Sequence, residues 1–303
     1  MCATCGCSDS SRPRLTDLET GQTIPLEEPH EHSHTGDHHH HHHHDHSHDY
    51  NQHHVHGHDD SHHSHQTTTV SLETAVLAKN DRLAERNRGW LAGRDILALN
   101  LVSSPGSGKT TLLERTIRDL AGELPLSVIE GDQETLNDAE RIRATGCRVV
   151  QINTGSGCHL DAAMLARGLD QLNPPSGSVV LIENVGNLVC PALFDLGERA
   201  KVVIVSVAEG DDKPLKYPHM FRAGTVVILN KIDLIPYVPF DEPRFLRHVH
   251  QVNPALRVLR LSATRGDGLS DWYEWLRMQA SERSRPTDVV PHRVEATGSS
   301  TNT

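Results

Sequence analysis

The sequence predicts an α/β fold, a mostly parallel sheet with helices on both faces, preceded by a disordered His-rich tail. Three observations predict it. Short apolar runs alternate with helix-like segments from about residue 95 to 279, and a Gly-rich turn stands where the first run meets the next helical stretch. Upstream, 19 of the 24 histidines fall between His30 and His65, in a stretch with almost no apolar residues. Such alternation buries strands beneath helices and places ligand loops at the carboxyl ends of the strands.

The chain begins with Cys2, Cys5 and Cys7, which make residues 1–8 a candidate metal motif. Thiols crowded in this way in a reducing compartment argue for metal or redox work more than for structural disulfides. Residues 9–69 read as a disordered, acidic, metal-binding tract. Seven consecutive histidines, His38 to His44, have the look of a purification tag, but twelve more are interspersed with Asp, Ser and Gly in an internal position. Neutral imidazole binds nickel, zinc, copper and cobalt, while so polar a tract cannot bury enough surface to offset its ordering entropy. A multi-site metal buffer is the expectation.

Residues 1–66 hold 11 acidic residues against Arg12 and Arg14, nine of the chain's eleven net negative charges. The nearly balanced remainder gives no electrostatic case for nucleic acid or an anionic membrane. No apolar stretch approaches the roughly 20 residues of a membrane span, and the N-terminus lacks an apolar signal region. The expectation is a soluble, cytoplasmic protein.

Residues 70–93 predict a linker helix. Ser71 can cap it, and Leu72, Val76, Leu83 and Trp90 recur at helical spacing before Gly93, a face for the domain or for a second copy. The domain follows over residues 94–283. Residues 96–102, 126–130, 148–152, 179–183, 202–207, 226–229 and 258–261 read as short buried strands. Helices are expected at 111–120, 136–144, 161–172, 244–252 and 272–278, with Trp272, Trp275 and Leu276 in the core. Residues 284–303, rich in Ser, Thr and Pro, read as a loose tail.

Ser103-Ser104-Pro105-Gly106-Ser107-Gly108-Lys109-Thr110-Thr111 follows a buried strand and opens a helix, the context a phosphate-binding loop requires. Its backbone N–H groups cradle phosphates, Lys109 reaches the terminal ones, and Thr110 offers a hydroxyl to Mg2+. The domain is therefore expected to be of the P-loop kind. The first glycine of the usual pattern is Ser103 here, tolerable if that residue ends the strand without positive φ. Asn230, Lys231 and Asp233 follow the sixth strand of the domain. The Asp233 carboxylate can accept hydrogen bonds from guanine N1–H and the exocyclic amine, and the Lys231 stem can cover a base face. Ser262 and Ala263 resemble the start of the second guanine loop of GTPases, so GTP is the expected nucleotide. Asp132 and Glu183 end two strands where they can meet Mg2+, and Gly186 N–H can sense a γ-phosphate. Asn187 stands where a water-orienting Gln would be useful, so slow intrinsic turnover is expected.

Cys158 and His159 follow the third strand, and Cys190 lies four residues after Gly186. Two thiolates and an imidazole suit zinc or nickel and leave a coordination position open for exchange. Because Cys190 belongs to the candidate switch loop, ligation there can respond to the γ-phosphate. Cys147 reads as a packing residue.

Cys2-Ala3-Thr4-Cys5-Gly6-Cys7, the His tract, Ser104 to Thr110, Glu183-Asn184-Val185-Gly186-Asn187-Leu188-Val189-Cys190-Pro191, the Gly210 to Pro218 segment and Asn230 to Asp233 together resemble the hydrogenase nickel-incorporation GTPases of the HypB family. The resemblance covers the domain and the extreme N-terminus. It implies a dimerising metallochaperone that uses GTP and Mg2+ to help place Ni2+ in the large subunit of [NiFe]-hydrogenase, working with the zinc protein HypA. It also implies a tight nickel site at Cys2, Cys5 and Cys7 and a second nickel or zinc site at Cys158, His159 and Cys190. A urease-type accessory GTPase is the near alternative, disfavoured because Ala192 rather than His follows Cys190-Pro191. A nickel or Zn2+ storage protein with a regulatory GTPase domain is the other.

Overall fold

The structure is a computed structural model and describes residues 13–26, 64–133 and 135–282. Cys2, Cys5 and Cys7, the tract from 27 to 63 and the tail from 284 lie outside these residues.

Two short strands come first, β1 (Arg14–Asp17) and β2 (Thr23–Pro25), then the long helix α1 (Ser64–Gly93). The domain continues as β3 (Leu97–Ser103), α2 (Lys109–Asp119), β4 (Leu126–Asp132), α3 (Asn137–Arg143), β5 (Arg148–Asn153), α4 (Ala162–Leu172) and β6 (Val179–Glu183). After a short helix α5 (Cys190–Leu193) come β7 (Ala200–Ser206), α6 (Lys213–Lys216), α7 (Pro218–Ala223), β8 (Val226–Asn230), α8 (Glu242–Val252), β9 (Arg257–Arg260) and α9 (Leu269–Ser281).

The strands form one sheet in the order β2-β1-β5-β4-β6-β3-β7-β8-β9. From β5 to β9 every neighbouring pair is parallel. The seven expected strands are all present; the runs of β3 to β8 reflect burial on both faces, whereas the edge strand β9 exposes Arg257 and Arg260. One face packs against α2, α3 and α9, with the fully buried Trp272 donating from Nε1 to Thr116 Oγ1 at 2.9 Å. The other face carries α1 and α4 on one side and α7 and α8 on the other. The connection from β3 runs one way to β4, while that from β6 runs the other way across β3 to β7, so a crevice opens between them at the carboxyl ends of the strands, where open α/β sheets bind ligands.

Two expectations need correction. The stretch assigned wholly to the disordered tract contains a hairpin, β1 and β2, laid antiparallel on the β5 edge. Leu15 and Leu26 join the core beside Ile152, which explains why so short a hairpin holds. Its turn is closed by the Asp17 carboxylate, which accepts from Glu19 N and Thr20 N at 2.9 and 3.2 Å, and by Gly21 at φ 70°. Helix α1 starts at Ser64, so Ser71 is not its cap. Its buried face is Asn80, Ala84, Asn87 and Leu91, whereas Val76 is 48% exposed. The asparagines are buried because they satisfy main-chain groups: Asn80 donates to Asp195 O and accepts from Ala162 N, and Asn87 donates to Ala162 O and Leu196 O. The helix thus packs on its own domain. No helix among the described residues is long and apolar enough to cross a membrane.

Candidate nucleotide and metal sites

Because the strands are parallel, Ser103, Asp132, Glu183 and Asn230 end at one edge, around a cleft of about 620 Å³ lined by the phosphate loop, Asp132, Gly186 and Lys231. Ser103 ends β3 and is not among the positive-φ residues, so its replacement of the usual glycine carries no strain. Positive φ is needed further on, at Gly106 (76°) and Gly108 (93°). A Cβ on Gly108 would also lie 2.6 Å from Asn230 Nδ2, so the loop and the β8 end require its absence.

Lys109 Nζ and Thr110 Oγ1 both donate to Glu183 Oε1 at 2.7 Å. Glu183 is fully buried, and its Oε2 has no hydrogen-bond partner. A buried orphan carboxylate oxygen beside a hydroxyl, with Asp132 at the next strand end, is an all-oxygen donor set of the kind a hard cation such as Mg2+ takes. Behind it, burial and then the charge of Glu183 push the Glu130 carboxyl well above the usual carboxylate range. Burial and the neighbouring charge thus favour the neutral form of Glu130 over a second buried charge beside Glu183.

Asn230 is a structural tie between loops. Its Nδ2 donates to Ser107 O at 2.9 Å, while its Oδ1 accepts from Lys231 N and Ala263 N at 2.8 and 3.1 Å. Lys231 adopts φ 62° and donates from Nζ to Gly106 O at 2.7 Å, which lays its stem along the cleft. Asp233 sits in the 3-10 turn that follows, Ile232–Tyr237. Lys213, given no role by motif spacing, donates to Ser104 Oγ at 2.9 Å and pairs with Glu209 at 3.0 Å, supporting the phosphate loop from below.

The three soft ligands come together. The ligand atoms of Cys158, His159 and Cys190 all lie within 4.8 Å of one another, with the two Sγ atoms 3.1 Å apart and His159 Nδ1 3.6 Å from Cys158 Sγ. Two thiolates on one tetrahedral zinc would stand about 3.8 Å apart, so less than an ångström of adjustment would admit an ion. Burial pushes the His159 imidazole down, which keeps it in the neutral, ligating form. Cys147 is separate, buried beneath the sheet, and its thiol is pushed up to about 12 by burial, as fits a packing residue.

Sequence reasoning missed the groups that join the two sites. Asn187 Nδ2 donates to Cys158 O at 3.2 Å and its Oδ1 accepts from Val189 N, so it bridges the loop after β6 to the loop after β5. Asn184 Oδ1 accepts from Leu160 N at 3.1 Å, and its Nδ2 donates to Asn100 on β3. Leu160 in turn fills the space that a Cβ on Gly131 would need, directly beside Asp132. Gly186 approaches Pro105 so closely that a Cβ would lie 3.0 Å from its ring. Phosphate loop, Gly186 loop and metal loop are therefore in series. The only advance signal was the density of Asn at strand ends, which backbone satisfaction explains and periodicity does not.

Residues 97–260 match the family described as CobW/HypB/UreG, nucleotide-binding domain. The chain is 55% identical over 214 residues to the hydrogenase maturation factor HypB of Escherichia coli K12, covering 71% of this chain and 74% of that one. The crystal structure of hydrogenase maturation factor HypB from Archaeoglobus fulgidus is 39% identical, with a TM-score of 0.63 over 67% of this chain and 99% of that one. The crystal structure of HypB from Helicobacter pylori in complex with nickel is 36% identical, with a TM-score of 0.64 over 69% of this chain and 98% of that one.

Proposed function

The chain belongs to the CobW/HypB/UreG family and, within it, to the HypB hydrogenase maturation factors, and from that premise we propose that it is a GTP-hydrolysing nickel metallochaperone for the [NiFe]-hydrogenase large subunit. One observation carries the reading: Asn187 Nδ2 donates to the carbonyl of Cys158, so the Gly186 loop, which also bears Cys190, is tied to the loop bearing Cys158 and His159.

In this reading Pro105, Gly106, Ser107, Gly108 and Thr111 cradle the phosphates, and Asn230, Lys231, Asp233, Ser262 and Ala263 form the guanine pocket. Thr110, Asp132 and Glu183 hold Mg2+, which when bound neutralises charge on the β- and γ-phosphate oxygens. Lys109 exchanges Glu183 for the terminal phosphate as nucleotide enters. Gly186 N–H meets the γ-phosphate, and its loss after hydrolysis frees the loop that carries Cys190. Asn187 is occupied by Cys158 O and Val189 N, so water positioning falls to another group, in keeping with slow intrinsic turnover. Ni2+ is cargo at Cys158, His159 and Cys190, with Zn2+ a competitor for the same donors. Pairing of two chains across these loops, receipt from HypA and delivery to the large subunit in the cytoplasm complete the proposal.

The test is complementation. In cells lacking the native factor and grown in limiting nickel, the chain is expected to restore hydrogenase activity. Cys190→Ala, with GTP turnover retained, is expected to give at least about tenfold less, the scale of effect seen when metal sites are weakened. Full restoration by the variant would contradict the assignment of Cys190 to delivery.

A further inference from the structure

Helix α5 is one turn long, with Cys190 as its first residue and Phe194 as its C-cap. Residues four apart on a helical turn share a face, so the turn that brings the Cys190 thiol to the metal cluster also brings the Phe194 ring. That ring meets His159, with centroids 4.0 Å apart and planes inclined at 42°. In this position His159 Nδ1 lies 3.6 Å from Cys158 Sγ. A histidine that ligates a metal is ordinarily aimed by a hydrogen bond to its second ring nitrogen. Among the described residues His159 has no such bond, and the Phe194 ring takes its place.

Phe194 is itself held from the sheet and from α1. Lys201 Nζ on β7 donates to Phe194 O at 3.1 Å and pairs with Glu198 Oε1 at 3.3 Å, and the two side chains are only 10% and 4% exposed. Glu198 Oε2 accepts from Leu196 N at 2.7 Å, while Asn100 Nδ2 on β3 donates to Oε1 at 3.1 Å. A buried ion pair adds little stability over apolar residues of the same volume. The use of this one is positional, because each partner directs a contact to the main chain between Phe194 and Leu196. From the other side, Asp195 O accepts from Asn80 Nδ2 of α1 at 2.7 Å, and the Asp195 carboxylate pairs with Arg88 at 2.7 Å.

We propose that Phe194 is a positioning residue for the metal cluster: anchored through its main chain to β7 and, by its neighbour Asp195, to α1, its ring holds the His159 imidazole in place beside the Cys158 and Cys190 thiols before an ion arrives. The proposal rests on the metal-site reading above, and Phe194 acts through His159 without touching the ion. A free imidazole loses side-chain freedom when it ligates, whereas a ring already held loses little, and the difference appears as affinity.

The experiment uses the full-length chain with Cys2→Ser/Cys5→Ser/Cys7→Ser as parent, which leaves Cys147, Cys158 and Cys190 as its cysteines. Ni2+ is titrated and followed by thiolate-to-nickel absorption, a band that the imidazoles of the His tract do not give. Phe194→Leu is expected to weaken nickel binding about tenfold, the lower end of what loss of a ligand-orienting partner costs. Phe194→Tyr, which keeps the ring, should return the affinity to within about twofold of the parent, and adding Phe194→Leu to His159→Ala should cost no more than about twofold beyond His159→Ala alone. Urea unfolding checks that each variant is folded, and Phe194→Ile carries the same expectation should Phe194→Leu not fold. Parental affinity in Phe194→Leu, or a tenfold loss that persists in the His159→Ala background, would overturn the positioning role while leaving the metal site standing. Unchanged affinity in His159→Ala would remove His159 from the metal-site reading itself, and the role of Phe194 with it.

Discussion

Lys109→Ala is expected to lower GTP turnover by about 10²- to 10³-fold or more, the scale of losing one preorganised charge-stabilising donor at a phosphoryl or acyl centre. Lys109 Nζ sits 2.7 Å from the fully buried Glu183, poised at the mouth of the phosphate loop. Two effects should separate in the measurement. Turnover reports the missing charge on the terminal phosphates, whereas urea denaturation reports Glu183 left with Thr110 as its remaining donor. Breaking a buried pair typically costs about 3–5 kcal/mol, so the variant should be measurably less stable without nucleotide. A folded variant with unchanged turnover would remove Lys109 from the catalytic assignment.

Asp233→Asn should turn the base preference from guanine to xanthine. A carboxylate accepts from both N1–H and the exocyclic amine of guanine, and hydrogen bonds to charged groups are each worth about 1.5–3 kcal/mol. Asn keeps one acceptor for N1–H but turns a donor on the exocyclic amine, so losing that one charged contact should weaken GTP by about 10- to 100-fold, while the same donor suits the second oxo group of xanthine. The surrounding frame should survive the change, because Asn230 rather than Asp233 ties the phosphate loop to Ala263. Competition titrations with GTP and XTP measure the preference directly. Retained preference for GTP would show that Asp233 does not read the base.

The central fold was legible because its strands are continuous apolar runs whose burial on both faces leaves little ambiguity, as in residues 179–183 and 226–229. The phosphate loop was legible because its chemistry demands particular residues between a strand end and a helix start. The hairpin was not: Arg14-Leu15-Thr16-Asp17 has one buried aliphatic in four residues, and its stability comes from a core formed by distant strands. Helix α1 misled in a different way. Its apolar spacing pointed to Val76, which is exposed, as well as to Trp90, which does pack on the core, and it gave no sign of Asn80 and Asn87 on the packed face, whose role is to satisfy main-chain groups at Ala162, Asp195 and Leu196. Those contacts brace the loops that follow His159 and Cys190, so the missed face bears on the metal site. The Cys158, His159 and Cys190 cluster was grouped correctly, but the Asn184 and Asn187 bridges that fix it to the nucleotide loop have no sequence period to reveal them.

The central claim is that nucleotide state and metal affinity are coupled through the stretch from Gly186 to Cys190. Coupling between sites is reciprocal, so if GTP changes metal affinity, metal must change GTP affinity by the same factor, typically about 5- to 150-fold. The direct test is a pair of nickel titrations into the chain with Cys2, Cys5 and Cys7 changed to Ser and residues 27–63 removed, one in the GDP form and one with a non-hydrolysable GTP analogue. The account predicts different affinities in the two forms, a matching effect of nickel on analogue affinity, and loss of the difference in Cys190→Ala. Equal affinities in both forms, unchanged by Cys190→Ala, would contradict it.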